Sequence, residues 1–448
     1  MANRTLWRRG HRRTAPIRPT AVAPVACCLF LAAATACGAA TEPAIETPAE
    51  WTGDINTEGR VTTVTNTSGG VWGGAGRLVE EASIGVLEGA DEYMFGAVNG
   101  VWATEDRILV ADTQVPAVRV YDWMGTHLFD VGRPGEGPGE YSEPVGVAVA
   151  PNGDIWVAEM NMSIHRYDDS GAVLATHASS TGWSVHTDNM FIMALDGVPY
   201  MLDFGVQEAT QRGLPPIGRA PVEAGGGLGE IRLPPQTDFE PECLEYTHAS
   251  TGEADVWCAV PFAPWEVTTF TPAAEWVVGA GTEYAFEVHR DDGSRLRVER
   301  WWDPVMLDPE EIDYERQRTR AYLRNADPGW TWDGPQIPAH KPAFERIFAG
   351  RSGRLWVERS LASGRVDGPC TETFPEPEMA YGYTSCWTAD VAVDGFGADG
   401  RYLGELRLPR GFRSPEPFVR DDTWIAAVMD DDGTIRVKRY RLVTAIDD

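Results

Sequence analysis

The sequence is poor in basic residues and has almost no lysine. Lysine occurs only at Lys341 and Lys438, and 38 basic residues face 67 acidic ones, which gives a net charge of −29. A surface of this charge repels the phosphate backbone of nucleic acids and anionic membrane surfaces. We therefore expect no nucleic-acid partner.

The apolar run near the N-terminus is too short for a membrane span. Ala21–Ala36 has 16 residues and follows a region with six arginines and no acid. This order is typical of a signal peptide, which we predict at residues 1–36. Small residues precede Cys37 and resemble the cleavage site of bacterial lipoproteins, although Ala34 stands where that site usually has leucine. Lipidation of Cys37 is the prediction, and plain secretion is the alternative.

Loss of this leader would make the protein more acidic. The mature chain would keep 32 basic against 67 acidic residues, a net charge of about −35. Residues 37–59 are rich in Thr, Pro, Glu and Ala and are predicted to be a flexible tether. Residues 60–448 are predicted to be one domain. Gly38 is not an acidic retention signal, so we expect a lipid-anchored protein on the periplasmic face of the outer membrane or on the cell surface.

Motifs of several common enzyme classes are missing. The sequence has no Gly-x-Ser-x-Gly, and the glycine-rich run 132–139 lacks the Gly-Lys-Ser/Thr ending of a phosphate loop. The histidines are scattered without the short spacing of metal ligands. His165 and His289 are expected in third strands of their sheets, away from any central site.

Cysteine is scarce beyond the leader. Cys243, Cys258, Cys370 and Cys386 form two local pairs and permit three connectivities. Bonds within each local pair are the prediction, and each would contribute roughly 3 kcal/mol at this loop size. The alternative, one metal site of four thiolates, lacks the two-to-four-residue spacing typical of zinc ligands.

Short strands separated by tight turns recur along the chain. Val145–Val149 and Ile155–Glu159 flank a Pro-Asn-Gly turn, and the same pattern occurs at Val101–Asp112 and Phe344–Glu358. Repeated strands at a spacing in the forties are typical of a β-propeller. The strand layout predicts an all-β fold with six blades.

Two departures from this repeat carry further predictions. The last blade has sequence for three strands only, so Val61–Asn66 is predicted to supply its fourth strand and close the ring. Asp308-Pro309-Glu310-Glu311 is typical of a capped helix start and predicts an inserted helix at about residues 309–325. The 17 tryptophans are expected to pack blades and this helix, with an aromatic platform for carbohydrate or peptide as the alternative.

The glycine-rich segment carries a family resemblance. Gly132–Tyr141, followed by Pro144–Val147 and Gly153–Glu159, resembles the NHL-repeat-like six-bladed propellers of bacterial lipoproteins. The resemblance extends roughly from Val61 to Leu442 and is strongest in the first two blades. It implies the fold and an envelope location, and it implies little about activity.

A propeller offers one preferred site, the axial funnel where its inner strands converge. Arg133, Glu136, Glu140 and Tyr141, from the connection between the first two blades, are the predicted binding residues, with Arg133 and Tyr141 facing an anionic group. The predicted function is a monomeric envelope module that binds a protein, peptide or small molecule without a cofactor.

The alternative function is a metal-dependent hydrolase or lyase. Sugar-lactone hydrolases and amidating lyases of similar shape hold a divalent cation in the channel, and Asn99 and Asp188 could be recruited here. Three or more converging Asp, Glu, Asn or His side chains would favour this enzyme, whereas an apolar or Arg-capped channel would favour binding.

Overall fold

The computed structural model describes residues 50–177, 191–203, 218–372, 374, 384–409, 411–412 and 417–447. Thr47–Asp448 form one compact unit. Six sheets follow one another along this unit, and the first strands of all six line one central cavity. The predicted six-bladed β-propeller is confirmed.

Three strands precede the first blade: β1 (Thr52–Glu58), β2 (Val61–Ser68) and β3 (Arg77–Ile84). β1 and β2 form an antiparallel hairpin. The prediction of a flexible tether at residues 37–59 is therefore wrong for residues 52–58, which form β1. Residues 37–49 and the predicted signal peptide, with Cys37, lie outside the described residues.

Blades one and two are four-stranded antiparallel sheets in chain order. Blade one comprises β4 (Val98–Ala103), β5 (Arg107–Asp112), β6 (Ala117–Asp122) and β7 (His127–Val131). A short parallel pair follows, β8 (Arg133–Pro134) and β9 (Glu140–Tyr141). Blade two comprises β10 (Pro144–Val149), β11 (Ile155–Glu159), β12 (Ile164–Tyr167) and β13 (Val173–His177). Neighbouring blades cover both faces of β5 and β11, so these strands are continuous apolar runs rather than alternating ones.

Blades three and four are separated by an additional hairpin. Blade three comprises β14 (Phe191–Met193), β15 (Pro199–Asp203) and β16 (Gly218–Pro221) in the described residues. The hairpin comprises β17 (Leu244–Thr247) and β18 (Ala254–Trp257). Blade four comprises β19 (Glu266–Phe270), β20 (Trp276–Ala280), β21 (Ala285–His289) and β22 (Arg295–Arg300).

Blades five and six follow the inserted helix α1 (Pro309–Leu323). Blade five comprises β23 (Arg346–Ala349), β24 (Leu355–Arg365), β25 (Trp387–Phe396) and β26 (Tyr402–Arg407). Blade six comprises β27 (Phe418–Arg420), β28 (Thr423–Met429) and β29 (Ile435–Val443), and β3 completes it. Trp356 and Trp424 join these two blades with their ring centroids 4.7 Å apart.

An N-terminal strand closes the ring, as predicted, but the predicted strand is wrong. β3 pairs antiparallel with β29, with Ile84 opposite Val437. Val61–Asn66 belongs to β2, which instead pairs in parallel with β22 and widens blade four. β3 reads Arg77-Leu-Val-Glu-Glu-Ala-Ser-Ile84 and does not alternate, so the sequence pattern did not mark it as the closing strand.

The glycine-rich segment between β2 and β3 explains this arrangement. It crosses the outer strand of blade five, where Trp72 N donates to Leu403 O at 2.8 Å and Gly76 N donates to Glu405 O at 2.8 Å. Trp72 is buried against that blade. The chain therefore passes from blade four over blade five before it reaches blade six.

The inserted helix and the disulfides agree with the sequence. Asp308 Oδ1 accepts a hydrogen bond from Glu310 N at 2.8 Å, and α1 ends two residues before the predicted Asn325. Both local disulfides, Cys243–Cys258 and Cys370–Cys386, are present. The hairpin β17–β18 and α1 share a small core of their own, formed by Leu244, Val260, Ala263, Leu323, Trp330 and Ile337.

Candidate functional site: the axial channel

The predicted binding loop, residues 132–141, lies on the outer part of blade two. Gly139 N donates to Thr176 Oγ1, on the outermost strand β13, at 3.0 Å. Gly139 has a φ of +71°, and a Cβ placed there would lie 2.0 Å from Val173 Cγ2. Glycine is thus needed for this close approach, and the loop does not contribute to the lining of the axial cavity.

Arg133 and Glu140 satisfy each other in this loop. Arg133 Nε donates to Glu140 Oε1 at 2.7 Å, and Gly137 N donates to Glu140 Oε2 at 2.9 Å. The hydrogen bond from Gly137 has the larger influence and that from Arg133 the next, and together they hold the pKa of Glu140 below its usual value. Glu136 is exposed beside them. The binding role of Arg133, Glu136 and Glu140 stays a prediction, and the charge of Arg133 is already balanced.

Tyr141 has a structural environment. Its side chain is buried, its hydroxyl donates to Val131 O at 2.5 Å, and it accepts from Val118 N at 2.8 Å. Burial raises the pKa of this phenol well above its usual value. The prediction that Tyr141 presents its hydroxyl to the funnel is wrong because that hydroxyl joins blade one to the loop.

The axial cavity has a volume of about 130 Å³ and a wall of mixed polar and apolar surface. Each of the six inner strands contributes: Trp102 from β4, Val147 from β10, Met193 from β14, Phe270 from β19, Ala349 from β23 and Phe418 from β27. A cavity of about 150 Å³ holds a molecule of the size of benzene. The axial cavity therefore accommodates a group of about that size.

Arg351 is the charged side chain in this wall among the described residues. It lies in the turn after β23, and its Nη1 donates to Met193 O at 2.8 Å. Its guanidinium carbon lies 4.4 Å from the centroid of the Trp102 ring. Burial, followed by the neighbouring charge of Arg420, lowers the pKa of Arg351 to about 10. Arg351 nevertheless stays charged at neutral pH.

Arg351 and Arg420 carry uncompensated positive charge. Arg420 Nη2 donates to Thr104 O at 2.8 Å, so each of the two guanidinium groups donates to a backbone carbonyl. In the described part of the chain neither forms an ion pair with a carboxylate. Arg351 also lines a second cavity of about 210 Å³ between blades four and five, which continues from this end of the channel. The arrangement suits an anionic group.

The side chains considered for a metal site do not converge. Asn99 lines the channel but donates to Thr113 Oγ1 at 2.8 Å, and Asp188 lies outside the described residues. His165 is buried on β12 beside Glu159, with Nε2 and Oε2 2.9 Å apart, and His289 lies on β21 beside Glu287, 3.2 Å away. Both histidines are on third strands, as predicted.

A further group of metal-ligand types lies outside the channel. Cys370, Glu372 and Cys386 lie close together, but their two sulfur atoms form the disulfide and offer no thiolate. Within the described residues no helix is both long and apolar enough to cross a membrane.

Sequence reasoning missed Arg351 because it lies in an ordinary-looking hairpin turn, Gly350-Arg-Ser-Gly353. A usable signal existed. The corresponding turn of blade two has Pro151 as the second residue after its inner strand, whereas blade five has Arg351 at the same position. Comparison of equivalent turns between blades would have singled out this cation next to the axis.

Comparisons with known proteins support the fold. A family model described as 6-bladed beta-propeller, DUF5128, matches residues 79–188. No curated protein matches the chain.

Solved structures resemble the chain at low sequence identity. A Bacteroides fragilis protein is 9% identical, with a TM-score of 0.44 and coverage of 86% of this chain and 100% of its own. A catalytically inactive virginiamycin B lyase from Staphylococcus aureus, with quinupristin, is 11% identical, with a TM-score of 0.36 and coverage of 82% and 100%. A Bacteroides thetaiotaomicron protein of unknown function is 11% identical, with a TM-score of 0.37 and coverage of 82% and 76%. The chain is a six-bladed β-propeller closed by an N-terminal strand.

Proposed function

We propose that this protein is a lipid-anchored envelope module that captures a partner by an anionic group at the Arg351 end of the axial channel. The observation that carries the proposal is the half-buried guanidinium of Arg351, which stacks on Trp102 and has no carboxylate partner among the described residues. A partly buried cation without a counter-ion attracts carboxylates because less water screens the interaction.

The size of the cavity limits what enters it. About 130 Å³ accommodates a carboxylate on a short stem, such as an acidic side chain or the C-terminus of a peptide. The remainder of the partner would contact the surrounding turns. We therefore propose an acidic peptide or protein segment as the partner class, rather than a small molecule enclosed whole.

The overall charge makes this local positive region selective. With a net charge of −29, most of the surface repels an acidic partner, and attraction is confined to a few places. Arg351 and Arg420 form one such place. An acidic partner would thus be repelled from most of the surface and attracted to the end of the channel.

Titration calorimetry with an acidic hexapeptide of glutamates tests the binding site. Arg351→Gln should weaken binding at least tenfold, because hydrogen bonds to charged groups contribute about 1.5–3 kcal/mol. Arg354→Gln is the matched control, since Arg354 lies in the same turn but pairs with Asp422 at 2.7 Å. Absence of peptide binding by the unaltered protein, or equal losses in both variants, would contradict the proposed site.

The anchor is tested separately by Cys37→Ser. This change should move the protein from the membrane to the soluble fraction while peptide binding by the purified domain stays the same. A membrane-bound Cys37→Ser variant, or a mature N-terminus other than residue 37, would refute the lipid anchor and leave the channel site intact.

A further inference from the structure

A third and larger cavity lies away from the axis. Its volume is about 590 Å³, and it is enclosed by α1, by the segment after β18 and by the long strands of blade five. Pockets for small molecules usually have about 300–1,000 Å³. The elements that form it are those that distinguish this chain from a regular propeller.

Two buried opposite charges line this cavity without direct partners. Lys341 and Glu311 are 3% and 4% exposed, respectively. In the described part of the chain, neither side chain forms a hydrogen bond or an ion pair. Lys341 Nζ instead lies 6.0 Å from the centroid of the Phe262 ring. Buried charges in proteins are normally paired, so two buried charges without a partner among the described residues mark a place where a polar ligand would gain hydrogen bonds.

The other charged side chains of the cavity are already engaged. Glu315 pairs with Arg318 at 3.0 Å, and Glu345 accepts from Ser360 Oγ at 2.6 Å. Burial lowers the pKa of Lys341, against the opposing influence of Glu311 and Glu345. Lys341 and Glu311 therefore remain as one donor and one acceptor available to a ligand.

Aromatic rings form another part of the wall. Trp257 and Tyr322 lie with ring centroids 4.5 Å apart, and both line the cavity. Trp387 also lines it, while its indole Nε1 is itself buried and has no hydrogen-bond partner among the described residues. The wall thus adds aromatic rings to the two charged side chains.

We propose that this cavity binds a neutral saccharide. A sugar hydroxyl can accept a hydrogen bond from the Lys341 ammonium and donate one to the Glu311 carboxylate, so one hydroxyl can bridge the separated charges. The C–H face of a sugar ring suits the aromatic rings of Trp257 and Tyr322. An anionic ligand would be repelled by Glu311 and a cationic one by Lys341.

An array of neutral oligosaccharides tests the proposal on the purified domain, and titration calorimetry then measures the affinity for the best of them. Glu311→Gln should weaken binding at least tenfold, since a charged acceptor is replaced by a neutral one of the same shape. Glu310→Gln is the matched control, because Glu310 is exposed in the same helical turn and the charge change is equal. It should leave binding unchanged.

A second variant fills the cavity without removing a polar contact. Ala389 lines it and is half-buried, so Ala389→Phe should abolish saccharide binding while the melting temperature stays near that of the unaltered protein. Arg351→Gln should have no effect, because this site is independent of the proposed channel site. Failure of the unaltered protein to bind any neutral oligosaccharide overturns the proposal, as does binding that survives both Glu311→Gln and Ala389→Phe.

Discussion

Blades one and two differ from the region around blades four and five. The first two blades are sheets of four strands joined by tight hairpins, and one continuous apolar cluster fills the space between them. Blades four and five are surrounded by the hairpin β1–β2, the glycine-rich crossing, the helix α1 and both disulfides. The contrast shows that repeated blades provide the ring, while additions to them create the larger cavity.

The largest expected effect follows from opening the ring. A chain that begins at Gly85 lacks β3, exposes the edge of β29 and loses the buried Ile84. We expect the free energy of unfolding to fall by about 5 kcal/mol, from lost apolar burial and ladder hydrogen bonds. A chain that begins at Gly59 lacks β1, which is exposed along its length, and should lose about 2 kcal/mol or less. Equal losses in denaturant unfolding would refute closure by β3.

The next largest effect is the difference in stability between removing a buried tryptophan of the ring and removing an exposed one. Trp356 is fully buried and contacts Trp424, so Trp356→Ala should lower the free energy of unfolding by about 3–5 kcal/mol. Trp301→Ala removes a side chain that is 67% exposed and should change it by about 0.5 kcal/mol or less. Thermal unfolding of both variants checks this, and a large effect of Trp301→Ala would reveal an unrecognised packing role.

The disulfide of the additional hairpin should stabilise its surroundings rather than the regular blades. Replacing Cys243 and Cys258 by serine removes a cross-link worth about 3 kcal/mol at this loop length. Amide hydrogen exchange in β17 and β18 should accelerate by roughly 100-fold, while β5 and β11 stay protected. Uniform acceleration across all blades would show that the hairpin and the ring unfold as one unit.

Two buried carboxyls should give opposite dependences of stability on pH. Burial raises the pKa of Glu315, so the folded protein binds a proton there more readily than the unfolded chain does. The free energy of unfolding, compared with that of Glu315→Gln, should therefore increase as the pH falls through the raised pKa. Burial would raise the pKa of Glu159, but hydrogen bonds from His165 and Ser142 outweigh it and lower this pKa. The free energy of unfolding, compared with that of Glu159→Gln, should therefore decrease as the pH falls from the pKa of the unfolded chain through the lowered pKa of the folded protein.

Each of these slopes is limited to about 1.4 kcal/mol per pH unit for one proton. Denaturant titrations of the two variants and the unaltered protein from pH 7 to pH 3 measure them. Slopes of the same sign would contradict the prediction that Glu159 in blade two and Glu315 in α1 make stability depend on pH in opposite directions.

The smallest effect is a difference in reactivity between the two lysines. Burial lowers the pKa of Lys341, whereas hydrogen bonds and ion pairs with Asp430 and Glu80 outweigh burial and raise that of Lys438. The rate at which Lys341 reacts with acetic anhydride should therefore reach half of its maximum at a lower pH than the rate for Lys438. Mass spectrometry at increasing pH resolves the two sites, and coincident midpoints would contradict the separation of Lys341 from its neighbouring carboxylates.

Local patterns were sufficient for much of the fold. The turn at Asn152-Gly153, the capped start at Asp308 and the two local cysteine pairs depend on neighbours in sequence, and the structure has all of them. Residue spacing could not assign the closing strand, because the distant partners of β2 and β3 decide their places and the pattern of neither strand names its partner.

The candidate sites show the same division. Arg133 was singled out by its glycine-rich surroundings, yet Glu140 neutralises it at the outer strands. Arg351 occupies an unremarkable turn, and the ring places it against Trp102, far away in the chain. Nothing local marks Lys341 and Glu311 as neighbours of one cavity.

The amino-acid sequence by itself determined a six-bladed ring with one capped helix and two local disulfides, because strand period, turn residues and caps act over a few residues. The tertiary structure alone decided which strand closes the ring, which arginine faces the axis and which charges are left without partners. Those properties depend on contacts between residues hundreds of positions apart, such as Ile84 with Val437, and only packing brings such residues together.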